Sequence, residues 1–302
     1  GYLLMGVPGL AYWGYFAEAS WTAIGLAVGT YINWLIVSKR LRSYSIVSGD
    51  AITVPDFLSN RFHEKKKVIL SISALFILIF FTVYTASCFS SCGKLFAGLF
   101  DMPYHNMMIV GAVFVVLYTV LGGFLAESAS DFMQSIVMIC ALVAVLVCGV
   151  IYAGGIGNVI ENAKNIPGYL SLNTIANPVV NSDGVQQASN GAALFGEAGK
   201  YDFITILSTL SWGLGYFGLP QVLLRFMAIR RGDELKNSRR IATVWVVISL
   251  FAAVLIGIVG RAVFPYDASL ATQRSAENVF AHLSSLLFHP LFAGIVTAGI
   301  LA

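Results

Sequence analysis

Between Phe203 and Phe226 the chain carries an apolar run long enough to cross a bilayer. Its middle, Ser211-Trp212-Gly213-Leu214-Gly215-Tyr216-Phe217-Gly218-Leu219-Pro220, holds three glycines and a proline. A plain membrane-spanning helix has no need of so many breakers. Gly and Pro loosen the helix and free backbone amides and carbonyls. At membrane depth such groups are tolerated only where protein or a watery cavity covers them. The segment is therefore expected to be a broken helix, the element on which secondary transporters place solute and ions near the midplane.

The rest of the chain has the solvent preference this requires. Of 302 residues, 58% are hydrophobic and 11% charged, against about 25% charged in soluble domains. Several apolar runs reach the roughly 18 residues needed to cross a hydrocarbon core. A net charge of +3 is too small to point to nucleic acid. Both ends, Gly1 and Ala302, lie inside apolar stretches, so the chain is expected to be a fragment of a longer protein.

The pattern divides as follows. Residues 1–12, with Met5-Gly6-Val7-Pro8-Gly9, end a first spanning element. Helices are expected over 15–37, 68–100, 106–121, 131–152 and 241–264, with a last segment from about Leu283. A polar loop fills 38–67. A Gly/Asn/Ser-rich connection, 153–200, is too polar for the membrane and is expected in solvent, with one short helix.

Charge sets the orientation. Of 18 Lys and Arg, Lys39, Arg40, Arg42, Arg61, Lys65, Lys66 and Lys67 lie in the first loop, and Arg225, Arg230, Arg231, Lys236, Arg239 and Arg240 around a later one. Both loops are expected on the cytoplasmic side. An even number of spans separates them, so the parity closes, and the 153–200 connection falls outside.

Gly6-Val7-Pro8-Gly9 and Gly215-Tyr216-Phe217-Gly218-Leu219-Pro220 stand about five spans apart. Interrupted segments at matching places in two halves point to an inverted repeat; Gly and Pro are also simply commoner in membrane helices. Two readings stand for Asp131, which follows Gly122 to Ser130. With Ser130 and unwound carbonyls it would make a hard-cation site for sodium, or it would cap the next helix. Glu18 is read as interfacial. Cys88, Cys92, Cys140 and Cys148 are expected to be packing residues, since no His or carboxylate joins them at metal-ligand spacing. No metalloprotease, nucleophile-elbow or P-loop motif is present, so the chain is not expected to be an enzyme.

Three stretches of the sequence resemble the sodium:solute symporter family, and within it the proline branch. They are Tyr2 to Gly9; Gly122 to Ala126 with Asp131 and Gln134; and Trp212 to Gly218 with Pro220 and Arg225-Phe226-Met227. The resemblance covers nearly the whole chain except 173–199, which looks like an insertion. It implies an all-α integral membrane protein of LeuT-type inverted-repeat fold, here as a fragment of about seven to eight spans. Residues 1–152 would form the first repeat, 153–200 an extracellular connection and 201–302 the start of the second repeat. It implies a multi-pass protein of the cell inner membrane that couples inward sodium flow to uptake of L-proline, with no cofactor beyond the coupling ion.

Carried over by motif, Trp212, Tyr216 and Pro220 are the solute-binding face of the broken helix, and Gly213, Gly215 and Gly218 its backbone. Tyr84 helps close the site, Asp131 and Ser130 belong to sodium coupling, and the main sodium ligands fall outside the chain. The residues agree with this. Trp212, Tyr216 and Pro220 recur at every fourth position, one face if α-helical. Aromatic surfaces suit a pyrrolidine ring and its ammonium. Interfacial or packing roles for Trp and Tyr are the alternative. The chain departs from the branch at Leu219 and Gln221, where Gln and His flank the motif proline, and at Ala129, where a Trp is usual. A symporter for another small solute, or a symporter-like sensor module fused to a signalling kinase, are the other readings.

Overall fold

The computed structural model describes residues 2–100 and 102–300, with all their side chains but those of 98–100 and 126. Gly1, Leu301 and Ala302, at the ends of the expected first and last segments, lie outside the described residues. Among the described residues, five helices are long and apolar enough to cross a membrane: Phe16–Val47, Val68–Ala97, Tyr104–Leu125, Glu127–Tyr152 and Leu235–Val263. A sixth span is the bent pair Phe203–Phe217 and Pro220–Ala228, turned by 43°. The two other expected spans are divided into short pieces. Tyr2–Gly6 is a π-helical turn that runs into α1 (Val7–Trp13), with Pro8 in the first turn. At the far end, α10 (Val279–Leu287) is parted from α11 (Pro290–Ala298) by Phe288-His289, because Pro290 cannot continue a helix.

Helix α2 (Phe16–Val47) runs ten residues past the expected end at Val37. The added stretch includes Lys39-Arg40-Leu41-Arg42, four residues that favour helix. Ser38 and Ser45 turn back to bond the carbonyls of Trp34 and Arg42 and stay buried. The helix stops where Gly49 takes φ +81°. Thr53 caps α3 (Val54–Arg61) by accepting from the Asp56 N–H at 3.3 Å. The Glu64 carboxylate caps α4 (Val68–Phe100), accepting from the Ile69 N–H at 2.8 Å.

Helix α5 (Tyr104–Tyr152) is 49 residues long, about 73 Å at the α-helical rise and far more than one crossing needs. Gly123, at φ +59° and ψ −165°, breaks it into its two spans, a conformation open essentially to glycine alone. The expected unwound stretch from Gly122 to Ser130 is otherwise helical. Glu, Ala and Ser are compatible with helix there, so one glycine makes the break.

The chain divides into two compact units. The first comprises Gly1–Ala23, Cys88–Ile206 and Ser249–Ala302. Its core gathers Leu4, Val7, Tyr12, Leu142, Val145, Ile256, Val279, Phe280 and Leu283. The 153–200 connection contains α6 (Ile156–Lys164) and four two-residue strands. Of these, β1 (Thr174–Ile175) pairs antiparallel with β4 (Gly199–Lys200), and β2 (Ala188–Ser189) with β3 (Ala192–Ala193). The connection is not wholly in solvent as expected: Val159, Ala163, Tyr169 and Ala176 pack with Ile258 and Val259 in a buried cluster. Apolar residues spaced along a polar stretch give it this anchorage.

The second unit comprises Ile24–Ser87 and Leu207–Ile248. Helices α2, α4, α7 (Phe203–Leu210) and α9 (Leu235–Val263) contribute to both units. Within the second, Phe226 of α8 (Pro220–Ala228) is fully buried. It meets Trp34 of α2 edge-on, with ring centroids 4.5 Å apart.

Candidate functional site

The interrupted span is built as α7, a 3₁₀ segment Ser211–Phe217, and α8. The break falls where the sequence places its glycines and proline. The winding differs from a plain interruption, because seven residues form a tighter helix rather than an open loop. With three residues per turn, Trp212 and Tyr216 lie about 120° apart around the axis, not on the common face that α-helical spacing gives. Accordingly, Trp212 is 57% exposed while Tyr216 is half-buried.

Tyr84 of α4 is half-exposed, with its ring centroid 5.6 Å from that of Phe81. It lies in the same compact unit as Tyr216. Tyr84, Trp212, Tyr216 and Pro220 thus belong to one unit, and three of them to one interrupted span. Asp131 and Ser130 belong to the other unit, both half-buried inside α5. Neither reading made for Asp131 has its expected geometry. Unwound carbonyls do not surround it, and it does not begin a helix.

The three glycines of the segment have different tasks. A Cβ on Gly213 would collide with the Gly25 carbonyl of α2, whereas at Gly215 and Gly218 it would meet open space. Gly25 and Gly29 are the matching positions on α2. A Cβ on Gly25 would stand 2.6 Å from the Leu210 carbonyl oxygen, and one on Gly29 would strike the Gly213 backbone. Backbone lies on backbone here, which only small residues allow.

The residue beyond these two glycines is Asn33. Its Nδ2 donates to the Tyr216 carbonyl at 2.8 Å, and the side chain is 1% exposed. The sequence analysis passed over Gly25, Gly29 and Asn33. The signal was present in two glycines and an amide at four-residue spacing in an apolar helix, since a buried polar residue in a membrane span is rarely idle.

Helix α8 starts at Pro220 without a side-chain cap. Pro220 has no N–H, and the Val222 and Leu223 amides bond the Leu219 carbonyl, which leaves the Gln221 N–H and the positive end of the helix dipole at the break. The arrangement offers aromatic rings for an apolar ring or a cation, and the Gln221 N–H with the helix dipole for a carboxylate.

Comparison with known proteins places this geometry in context. The whole chain, residues 1–302, matches the profile of the sodium:solute symporter family. It is similar to proteins named sodium/proline symporter from Staphylococcus aureus strains USA300 / TCH1516, USA300 and bovine RF122 / ET3-1. Each is 39% identical over 303 positions, a match that takes in all of this chain and 54% of the relative. The chain therefore spans about half the length of these curated relatives.

Proposed function

From the chain's membership of the sodium:solute symporter family, and with it a LeuT-type fold in a multi-pass membrane protein, we propose that the protein couples inward sodium flow to the uptake of L-proline across the cell's inner membrane. The observation that carries the reading is the broken span, in which a 3₁₀ turn carrying Trp212 and Tyr216 leads into the uncapped start of α8. Trp212, Tyr216, Pro220 and Tyr84 frame the solute ring. The Gln221 N–H and the helix dipole at the start of α8 suit its carboxylate, and an aromatic face suits its secondary ammonium. The relatives' names and the aromatic set favour proline. Leu219 and Gln221 favour a different small solute as the second reading, because they flank the binding proline and change the hydrogen bonds on offer there.

In this proposal residues 1–152 and 201–302 belong to two inverted repeats, and the main sodium ligands lie outside the chain. Asp131 and Ser130 lie along the ion path. Asp131→Asn is expected to raise the sodium concentration needed for half-maximal uptake. An unchanged sodium dependence would remove Asp131 from that path.

Radiolabelled proline uptake into proteoliposomes carrying the full-length protein, with and without an inward sodium gradient, tests the proposal. Gradient-dependent uptake supports it. Folded, inserted protein that ignores proline but answers another small solute would favour the second reading.

A further inference from the structure

Tyr216 carries a carbonyl that its own helix cannot serve. In the 3₁₀ segment this oxygen would accept from the N–H three residues on, but Leu219 turns to an extended conformation and no such bond is present among the described residues. The N–H four residues on is missing because that residue is Pro220. A carbonyl left unpaired at membrane depth is costly. Asn33 meets it from α2, its Nδ2 donating at 2.8 Å.

The reach of Asn33 depends on a match of pitch. Gly25, Gly29 and Asn33 follow one another at intervals of four on α2, and they face Leu210, Gly213 and Tyr216 at intervals of three. Four residues of α-helix rise about 6 Å, and three residues of 3₁₀ helix also rise about 6 Å. The two helices therefore stay in step over three successive contacts. Were residues 211–217 α-helical, three residues would rise only about 4.5 Å and the third contact would be out of register. The 3₁₀ winding and the Asn33 bond thus support each other.

The other end of the amide sharpens the point. Asn33 Oδ1 is buried, and no donor among the described residues faces it. A leucine would fill nearly the same space without the unpaired Oδ1, but it would also lose the donor to the Tyr216 carbonyl. What the amide contributes here is its donor.

We infer that Asn33 is a positioning residue of the solute site: by holding the Tyr216 carbonyl that Pro220 leaves without a helical donor, it fixes the 3₁₀ winding that sets Trp212 and Tyr216 on different faces. The bond stands on geometry alone. Its consequence for solute binding rests on the transporter reading above.

The test is a double-mutant cycle in the full-length protein with wild type, Asn33→Leu, Pro220→Ala and the pair. Pro220→Ala restores an N–H four residues after Tyr216 and so offers the carbonyl a helical donor. In sodium-driven proline uptake, Asn33→Leu is expected to raise KM about tenfold while the maximal rate stays within about twofold. In the Pro220→Ala background the same change should raise KM by less than about twofold. The unfolding midpoint in detergent should show the same non-additivity, and this arm needs no transport. If the wild type takes up no proline, the functional proposal fails while the midpoint cycle still decides the Asn33 assignment. An unchanged KM in Asn33→Leu, or equal effects in both backgrounds, would overturn the inference. Asn33→Ala serves the same cycle if the leucine variant does not fold.

Discussion

Two of the chain's interrupted membrane segments are treated in opposite ways. The first, Tyr2–Trp13, is sealed beyond the exposed Tyr2. Leu4, Met5, Val7, Ala11, Tyr12 and Trp13 are all buried. Gly9 lies on the backbone of Ala276 and Glu277, and Gly257 of α9 lies against Pro8. The Arg261 guanidinium donates to the Tyr12 carbonyl at 2.9 Å and 2.6 Å and stacks on the Tyr12 ring, while the Tyr169 hydroxyl donates to Ala11 at 2.6 Å. The glycine contacts hold the start of α1, and the Arg261 and Tyr169 bonds hold its end. The second segment, Phe203–Ala228, is fixed along one side by Gly25, Gly29 and Asn33 and leaves Trp212 and Leu214 exposed. A segment closed on all sides holds its own backbone and little else, whereas one held along a single side keeps side chains available to a ligand. Substitutions in the first should therefore cost stability, and those in the second should cost solute affinity.

The largest expected effect is in the sealed segment. Arg261 is 2% exposed and reaches α1 from near the end of α9. Arg261→Met removes both charge-assisted bonds and leaves the Tyr12 carbonyl buried without that donor. The loss should be about 3 kcal/mol, read as a fall in the detergent unfolding midpoint and in the amount of inserted protein. A variant as stable as wild type would break the comparison at its first term.

Next in size is a contrast inside the open segment. Gly213→Ala would drive a methyl group into the Gly25 carbonyl and is expected to cost about 1–3 kcal/mol. It should also weaken solute binding, because the 3₁₀ turn must move off α2. Gly215→Ala and Gly218→Ala meet nothing and should stay within about 1 kcal/mol of wild type. If all three behave alike, the glycines act through chain flexibility and not through packing. That is how the sequence presents them, as three equivalent breakers.

How much of this was legible follows the range of each interaction. The break at 211–220 was readable because its cause is local: glycines and a proline in an apolar run. The 3₁₀ winding was not, because it is matched to Gly25, Gly29 and Asn33, nearly two hundred residues earlier in the chain. At residues 122–130 the Gly-Gly pair correctly marked a break. Its extent was overread, because the residues after Gly123 keep their helical propensity once a single glycine has made the turn. Arg261 appeared in the sequence only as a stray basic residue, since its acceptor lies 249 positions away. The family motifs gave the candidate rings but carried α-helical spacing with them, and that spacing is what the 3₁₀ turn changes.

A smaller structural effect, with a larger functional one, is expected at Trp212. Its ring is mostly exposed, so Trp212→Ala should leave the unfolding midpoint within about 0.5 kcal/mol of wild type. The apparent affinity for proline should fall about tenfold, since aromatic contacts of this kind contribute roughly 1–2 kcal/mol. Wild-type affinity in this variant would remove the ring from the solute site and leave the segment's openness without a use.

The smallest effect lies where the second segment begins, and there the contrast with Arg261 is plainest. A buried cation closes the end of α1, whereas an exposed carboxylate opens α7. Asp202 Oδ1 accepts from the Thr205 N–H at 3.0 Å and from the Thr205 hydroxyl. These bonds from Thr205 hold the Asp202 carboxyl below its ordinary value. A carboxyl depressed in the folded state contributes stability that is fully present above its unfolded value, about 3.9, and is lost as pH falls through the lower folded value. Amide exchange over residues 203–206 should therefore quicken as the pH drops below about 4, beyond the intrinsic pH dependence of exchange. Asp202→Asn keeps an acceptor at the cap and should abolish that extra acid sensitivity while leaving exchange near neutral pH almost unchanged. If the extra acid sensitivity survives the substitution, the start of α7 is held by its neighbours, as α1 is, and the two segments differ less at their ends than along their lengths.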